Sequence, residues 1–455
     1  MAKNLAKHLL IVAALILIPG SAQAGEISGA SGIPIEFILF ALTLLGVALF
    51  HNQTFYVAIT GLASIILYKL IFTGFKTGSG IPGLISHFDH EWAILTNLFA
   101  LLMGFAILSR HFEKSHVPVI LPRYLPNDWK GGFVLLVMIF FISSFLDNIA
   151  AALIGGAMAH QLFKAKVHIG YVAAIVAASN AGGSFSVVGD TTTTMMWIAG
   201  ARPGQVFTAF YAAIIALIIS GIIAARQQHA YSPILKSTHQ HTRVDWGRLF
   251  VVGLILAFAI TTNLLINTFY TNISDSFPFV GAAVWAAILV SIPLRRHDWG
   301  VLGGSLKGTL FLLSLVSCAS MMPVENLPAA SWHTAFGLGF VSSVFDNIPL
   351  TELAIKQDGY DWGVLAYAVG YGGSMLWFGS SAGVAISNMY PEARSVFLWL
   401  RHGWHVALAF VAGFIALITL IGWHPQPLHH TQTVGTVSLT VPALPAQNHP
   451  QVHSP

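Results

Sequence analysis

Residues 142–149 read ISSFLDNI, and residues 341–348 read VSSVFDNI. Each places a serine pair and an Asp-Asn pair amid apolar sequence, in a chain that is 55% hydrophobic and only 8% charged. A second pair follows in the same order: GGSFSVVGD (182–190) after the first copy and GGSMLWFGS (372–380) after the second. Asp147 aligns with Asp346, Ser184 with Ser374, and Asp190 with Ser380, the second copy having the shorter connection between its motifs. The chain therefore repeats itself around polar interruptions.

The mean hydropathy of +0.73 sets the class. Soluble proteins carry about 25% charged residues, whereas 455 residues here hold 21 basic and 17 acidic side chains. Apolar stretches near the roughly 20-residue spanning length recur throughout, which predicts a polytopic helical membrane protein embedded in a lipid bilayer. Runs such as IALIISGII (215–223) and VVGLILAFAI (251–260) lack the period-2 alternation of a β-barrel. The net charge of +4 does not indicate a nucleic-acid partner, because the basic residues are dispersed in short loops where membrane orientation explains them. The single cysteine, Cys318, excludes an intrachain disulfide and any multi-cysteine metal site. No cofactor motif is present: Gly-rich GLGFVSSVF (337–345) lacks the strand–loop–helix setting of a phosphate loop, and the histidines lack metal-ligand spacing.

Residues 1–24 combine Lys3 and Lys7, the run LLIVAALILIP and the small-residue end SAQA. That is the pattern of a secretory signal peptide cleaved after Ala24, the alternative being a retained first helix. Residues 425–455 read as a disordered His- and Pro-containing tail. Between them lie an N-terminal unit (33–225), a polar linker (226–248) and a C-terminal unit (249–424). Placing the basic segments 110–130, 226–248 and 295–298 in the cytoplasm is self-consistent and puts the mature N-terminus outside. The span leading into Asp147 then starts inside, and the span leading into Asp346 starts outside, so the two units have inverted topology. Inverted repeats with Gly- and polar-interrupted helices, forming broken helices or re-entrant hairpins, point to a secondary transporter rather than an enzyme.

Oxygen-bearing side chains at such breaks suit a hard cation, because half-helix ends and unwound carbonyls add partial charge to the carboxylates. Asp147 and Asp346 are the leading ion-handling candidates, with Asn148 and Asn347 completing coordination or holding the acids. An acid at mid-membrane costs roughly 2.5–3.5 kcal/mol on insertion scales, so matched acids need a reason; capping of half-helices is the competing one. Asp190 follows Gly189 at a helix restart, before Thr191, and is a candidate for proton coupling or a cap. Lys307 would either pair with a site aspartate or snorkel to an interface. Glu325 falls at the outer mouth, and Asn263 reads as a polar helix contact.

SFLDNI (144–149), SNAGGSFSVVGDTTTTMMW (179–197), SVFDNIPL (343–350) and LAYAVGYGGSMLWFGSSAGVA (365–385), in this order and spacing, closely resemble the D-type (NhaD-like) sodium/proton antiporters of the wider ion-transporter superfamily. The resemblance covers roughly residues 35–423. It implies exchange of cytoplasmic sodium, with lithium also carried, for external protons across a bacterial inner membrane. It also implies a scaffold domain plus a transport domain in a homodimer. Carried over position by position, it supports Asp147, Asn148, Asn180, Ser184, Asp190, Asp346, Asn347, Ser380 and Ser381 around the ion path, with sodium at the Asp147/Asp346 region. Two departures bear on ion preference and break geometry: the first Asp-Asn-Ile continues as AAALIGG, where relatives commonly have threonine-rich sequence, and SFSVVGD lacks the proline commonly found there. Within the same superfamily, a sodium-coupled di- or tricarboxylate carrier and an arsenite permease are the alternatives.

Overall fold

The computed structural model describes residues 33–50, 53–120, 125–234, 243–270, 273 and 276–428. The expected signal segment and all but the first few residues of the expected tail lie outside them. Among the described residues the chain is helical, with no β-sheet. Backbone polar groups have no water partner in hydrocarbon, and a helix is the one open-chain form that satisfies them within a segment.

In chain order the principal helices are α1 (Ile35–Leu49), α2 (Thr54–Tyr68), α3 (Gly80–Lys114), α4 (Trp129–Ser143), α5 (Asn148–Leu162), α6 (Ile169–Ser184), α7 (Thr191–Ile198) and α8 (Ala209–Tyr231). They continue with α9 (Trp246–Phe269), α10 (Phe279–Ser291), α11 (Gly300–Ser320), α12 (Trp332–Ser342), α13 (Asn347–Gln357), α14 (Trp362–Gly372), α15 (Ser381–Met389) and α16 (Val396–Leu420). Six described helical segments are long and apolar enough to cross a membrane: Thr54–Thr73, Gly80–Lys114, Pro203–Tyr231, Trp246–Ile266, Gly300–Ser320 and Val396–Leu420. The helices bounding the segment expected as a cytoplasmic linker run into it, α8 reaching Tyr231 and α9 starting at Trp246.

Packing sorts the helices into two groups. α4–α8 and α12–α16 share one apolar cluster, with α6 against α8 and α14, and α8 against α16. Around it, α3, α9 and α10 pack through a second cluster, and α1, α2 and α11 through a third. Short helices cross between the units: α5 packs on α15, and α7 on α13.

The repeat is visible in local contacts. Ser143 Oγ donates to Ser179 O at 2.6 Å, and the aligned Ser342 Oγ to Val369 O at 2.7 Å. The backbone of α6 at Gly182 approaches α4 so closely that an added Cβ would stand 2.0 Å from Phe140 O; at Gly372 it would stand 2.3 Å from Gly339 O. These glycines admit a neighbouring backbone where any side chain would collide. Gly182→Ala and Gly372→Ala are each expected to destabilise the fold by about 1–3 kcal/mol through overpacking. Gly303, with nothing within 4 Å of a built Cβ, provides the control. Thermal unfolding in detergent checks this, with a clear drop expected at 182 and 372 and none for Gly303→Ala.

Candidate functional site

Four helix N-termini converge between the units, and each is capped by the side chain of the residue just before it. Asp147 Oδ2 accepts from Ile149 N at 3.2 Å, and Asp346 Oδ1 from Ile348 N at 3.1 Å. Asp190 Oδ1 accepts from Thr192 N at 3.4 Å, and Ser380 Oγ from Gly383 N at 3.3 Å. A helix leaves its first backbone N–H groups without partners, and a capping oxygen satisfies one at a gain of about 0.5–2 kcal/mol. The helix dipole also favours negative charge there. Capping and ion handling thus draw on the same oxygens, and neither reading displaces the other.

Side chains from both units join at the centre. Asn148 Nδ2 donates to Asn180 Oδ1 at 3.0 Å, and Asn180 Nδ2 donates to Ser374 Oγ at 2.9 Å and Ser380 Oγ at 3.1 Å. Asn347 Nδ2 donates to Asp190 Oδ2 at 3.4 Å, and Ser381 Oγ donates to Asp346 Oδ2 at 2.7 Å. Asn180, Ser374 and Ser380 are inaccessible, and Asp190 is only 2% exposed. Of the four threonines after Asp190, two tie the turn together: Thr193 Oγ1 donates to Ser186 O at 2.6 Å and Thr194 Oγ1 to Val187 O at 3.0 Å.

A cavity of about 600 Å³ reaches this centre, lined by Asp147, Asp190 and Thr191 as well as by α3 from Leu98 to Glu113. That stretch of helix is roughly 20 Å long at 1.5 Å per residue. Its lining also includes Arg110, Glu113 and Asp298, where Arg110 Nε and Lys114 Nζ meet Asp298 Oδ2 at 3.0 and 2.7 Å. Hydrogen bonds from Lys114 and Arg110 push the Asp298 carboxyl down to about 2. Its charge is therefore present from about pH 4 upward and is lost only as pH falls toward the depressed value.

The structure brings Asp147, Asn148, Asn180, Asp190, Thr191, Asp346, Asn347, Ser380 and Ser381 into this region. Ser184 is fully buried, and its hydroxyl turns back to Ala181 O at 2.9 Å. Lys307 lies over the rings of Phe55 and Tyr56, 5.8 and 5.2 Å from their centroids, on the exposed side of α11 rather than against a central aspartate. Glu325 pairs with Lys76, both exposed.

Two buried polar clusters escape sequence reasoning. On α3 and α13, Lys356 Nζ lies 2.5 Å from Glu91 Oε1 and 3.8 Å from Glu352 Oε1, with Glu91 4% and Glu352 3% exposed. The Glu352/Lys356 spacing of i,i+4 was a visible cue; the partner Glu91 was not. The second cluster is a histidine chain. His111 Nε2 and His297 Nδ1 are 2.7 Å apart, His297 Nε2 is 2.7 Å from Ile288 O, and Arg248 reaches His111 Nδ1 at 3.4 Å. Removing one partner of a buried ion pair typically costs about 3–5 kcal/mol, because the remaining charge is stranded. Lys356→Met is therefore expected to destabilise strongly, and adding Glu91→Gln to recover part of the loss. A double-mutant cycle on thermal unfolding reads this directly; additive effects would dissolve the pairing.

No family model matches the chain. It is 26% identical over 65% of its length to sodium/proton antiporter 1 of Arabidopsis thaliana, of which the match spans 56%. It is 25% identical over 66% of its length to sodium/proton antiporter 2 of the same plant, covering 77% of that protein. It is also 25% identical over 66% of its length to the Na(+)/H(+) antiporter NhaD of Alkalimonas amylolytica, covering 70% of that protein. With six helices among the described residues long and apolar enough to cross a membrane, the chain is a polytopic helical membrane protein with family-level similarity to sodium/proton antiporters.

Proposed function

We propose that the chain is a secondary active transporter that exchanges cytoplasmic sodium, and lithium, for external protons by alternating access. The observation that carries the reading is the cavity joining the Asp298–Arg110 cluster to Asp147 and Asp190. A deprotonated carboxylate there binds a hard cation, and protonation displaces it. The matched interruptions at 144–147 and 343–346, and at 185–190 and 373–380, support two repeats of inverted topology. The basic segments favour a cytoplasmic location for the Arg110 end of the cavity, and hence a conformation open to the inside. In this reading α4–α8 and α12–α16 form the moving unit and the surrounding helices the scaffold of a homodimer in a bacterial inner membrane, with the N-terminus outside. An anionic substrate would meet Asp147 and Asp190 in the same cavity, which disfavours a dicarboxylate.

Purified protein in tight proteoliposomes with an acid-loaded lumen tests the reading, luminal pH being followed after external sodium, lithium or potassium, with citrate and arsenite as parallel challenges. Sodium- or lithium-driven alkalinisation is expected in the native protein and is lost in folded Asp147→Asn and Asp346→Asn. Asp190→Asn is expected chiefly to change the pH dependence. Uptake of citrate or arsenite without any cation-driven pH change would overturn the substrate assignment. Because Asp298 stays ionised well below neutrality, Asp298→Asn is expected to weaken apparent sodium affinity in low salt without moving the pH midpoint. A shifted midpoint would instead make Asp298 part of proton coupling.

A further inference from the structure

A second cavity shares no lining residue with the central one, and its wall changes character along its length. Its volume is about 1380 Å³, above the roughly 300–1,000 Å³ that holds a drug-sized ligand. It runs beside α1 from Glu36 to Leu45, about 14 Å at 1.5 Å per residue. The charged residues of its lining are Glu36, at the start of α1, and Lys69 and Lys76, at and just past the end of α2. Along α1, α12 and α13 the rest of the lining is apolar, Phe40, Leu44, Val341 and Leu350 among it. Ile38, Leu42, Leu45 and Val341 line the cavity and are themselves exposed, so it opens sideways where the helices face lipid.

Two of the three charges are buried without a partner. Lys69 is 7% exposed and Glu36 is 5% exposed. They act on each other electrostatically but stand too far apart for an ion pair, and among the described residues neither side chain has a hydrogen-bond partner. The Lys69 ammonium has only the face of Phe75, 5.7 Å from the ring centroid. Lys76, by contrast, is engaged by Glu325. A buried charge with no partner is costly, and a lysine near the end of a span ordinarily reaches out to the interface. Lys69 instead stays in the cavity wall, at a π-helical turn closed by Gly74 N donating to Lys69 O at 2.7 Å. Such turns are frequent at functional sites.

We propose that this cavity is a phospholipid site whose occupant carries a phosphate and a primary amine in one headgroup, as phosphatidylethanolamine does. The phosphate accepts from Lys69, the amine donates to Glu36, and acyl chain lies along α1 against the apolar lining. Opposite charges held apart match a zwitterion. An anionic headgroup without an amine leaves Glu36 unpaired, and a quaternary amine has no N–H to donate to it. Basic pockets between spans are a recurrent means of holding lipid headgroups; the buried carboxylate is what narrows the choice here. Because the lining takes in α1 from one packing group and α12 and α13 from the other, the lipid bridges the two groups.

Native mass spectrometry of the full-length protein, purified in detergent and titrated with phosphatidylethanolamine, phosphatidylglycerol or phosphatidylcholine, tests the assignment without any transport assay. The native protein is expected to retain phosphatidylethanolamine at least about fivefold better than either rival. Glu36→Gln is expected to abolish the preference over phosphatidylglycerol, and Lys69→Met to weaken retention of phosphatidylethanolamine by about tenfold. Lys307→Met, which removes an ammonium lying over Phe55 and Tyr56 outside the cavity, is expected to change nothing. Glycerophosphoethanolamine, the same headgroup without acyl chains, is expected not to compete. Leu45→Trp, at the exposed rim, obstructs the apolar part without touching a charge and is expected to reduce retention of all three lipids. Equal retention of the three lipids by the native protein overturns the proposal, as does a preference for phosphatidylglycerol or unchanged selectivity in folded Glu36→Gln and Lys69→Met. Should neither charge variant fold, as thermal unfolding would show, unchanged retention in Leu45→Trp overturns it. Competition by the acyl-free headgroup overturns the lipid assignment. Absence of any retained lipid, leaving the cavity to detergent or to the chain's own residues 1–32, overturns it too.

Discussion

Unpartnered backbone N–H groups at helix starts, deep inside an apolar protein, are the constraint on which this architecture depends. Lipid offers them no hydrogen-bond partner. The chain meets the requirement at α5, α7, α13 and α15 with a capping side chain from the residue just before each helix: Asp147, Asp190, Asp346 and Ser380. Three of these are carboxylates, the group that the helix dipole most favours at an N-terminus. The structural need for caps therefore delivers negative charge to the centre at reduced cost. Because α5 packs on α15 and α7 on α13, the caps of one unit stand near those of the other, and an oxygen-rich, acidic centre follows from ordinary helix chemistry.

Close backbone packing then decides which of those oxygens meet the outside. At Gly182 and Gly372, α6 and α14 touch α4 and α12 without an intervening side chain. Ser143 and Ser342 pin them through carbonyls at matched positions. The result encloses Asn180, Ser374 and Ser380 completely, while leaving Asp147 and Asp190 on a cavity. Access to charge is selective even though the serine and glycine contacts recur at matched positions.

The parts of this arrangement that were legible in the sequence are those with a local cause. ISSFLDNI and VSSVFDNI stand out because an acid amid apolar residues demands a physical reason, and the caps at Asp147, Asp190 and Asp346 lie beside the helices they serve. Of the threonines after Asp190, Thr193 and Thr194 bond carbonyls of the preceding turn, a local use that sequence leaves equivalent to ligation. What was not legible depends on pairs far apart in the chain. Glu91 meets Lys356 across 265 residues, and His111 meets His297 across 186. No periodicity within a segment records a partner on another helix. Lys307 shows the converse: its charge left a pairing with a site aspartate and an interfacial position equally open, and its place on α11 brings it to Phe55 and Tyr56.

The Glu91–Lys356–Glu352 cluster gives that long-range pairing a mechanical meaning. α13 begins at the Asp346 cap and carries Glu352 and Lys356 on successive turns, while Glu91 belongs to α3, which packs chiefly with helices outside the shared core. A buried ion pair is weak as a source of stability but costly to break singly. Its geometry therefore ties one end of α13 to α3 more firmly than apolar contact alone. The cap at the other end of the same short helix is held by Ser381 from α15. Any displacement of the inner helices past α3 must either carry this ion pair along or exchange its partners, so the position of Asp346 and the integrity of the cluster are bound together through fewer than four turns of helix.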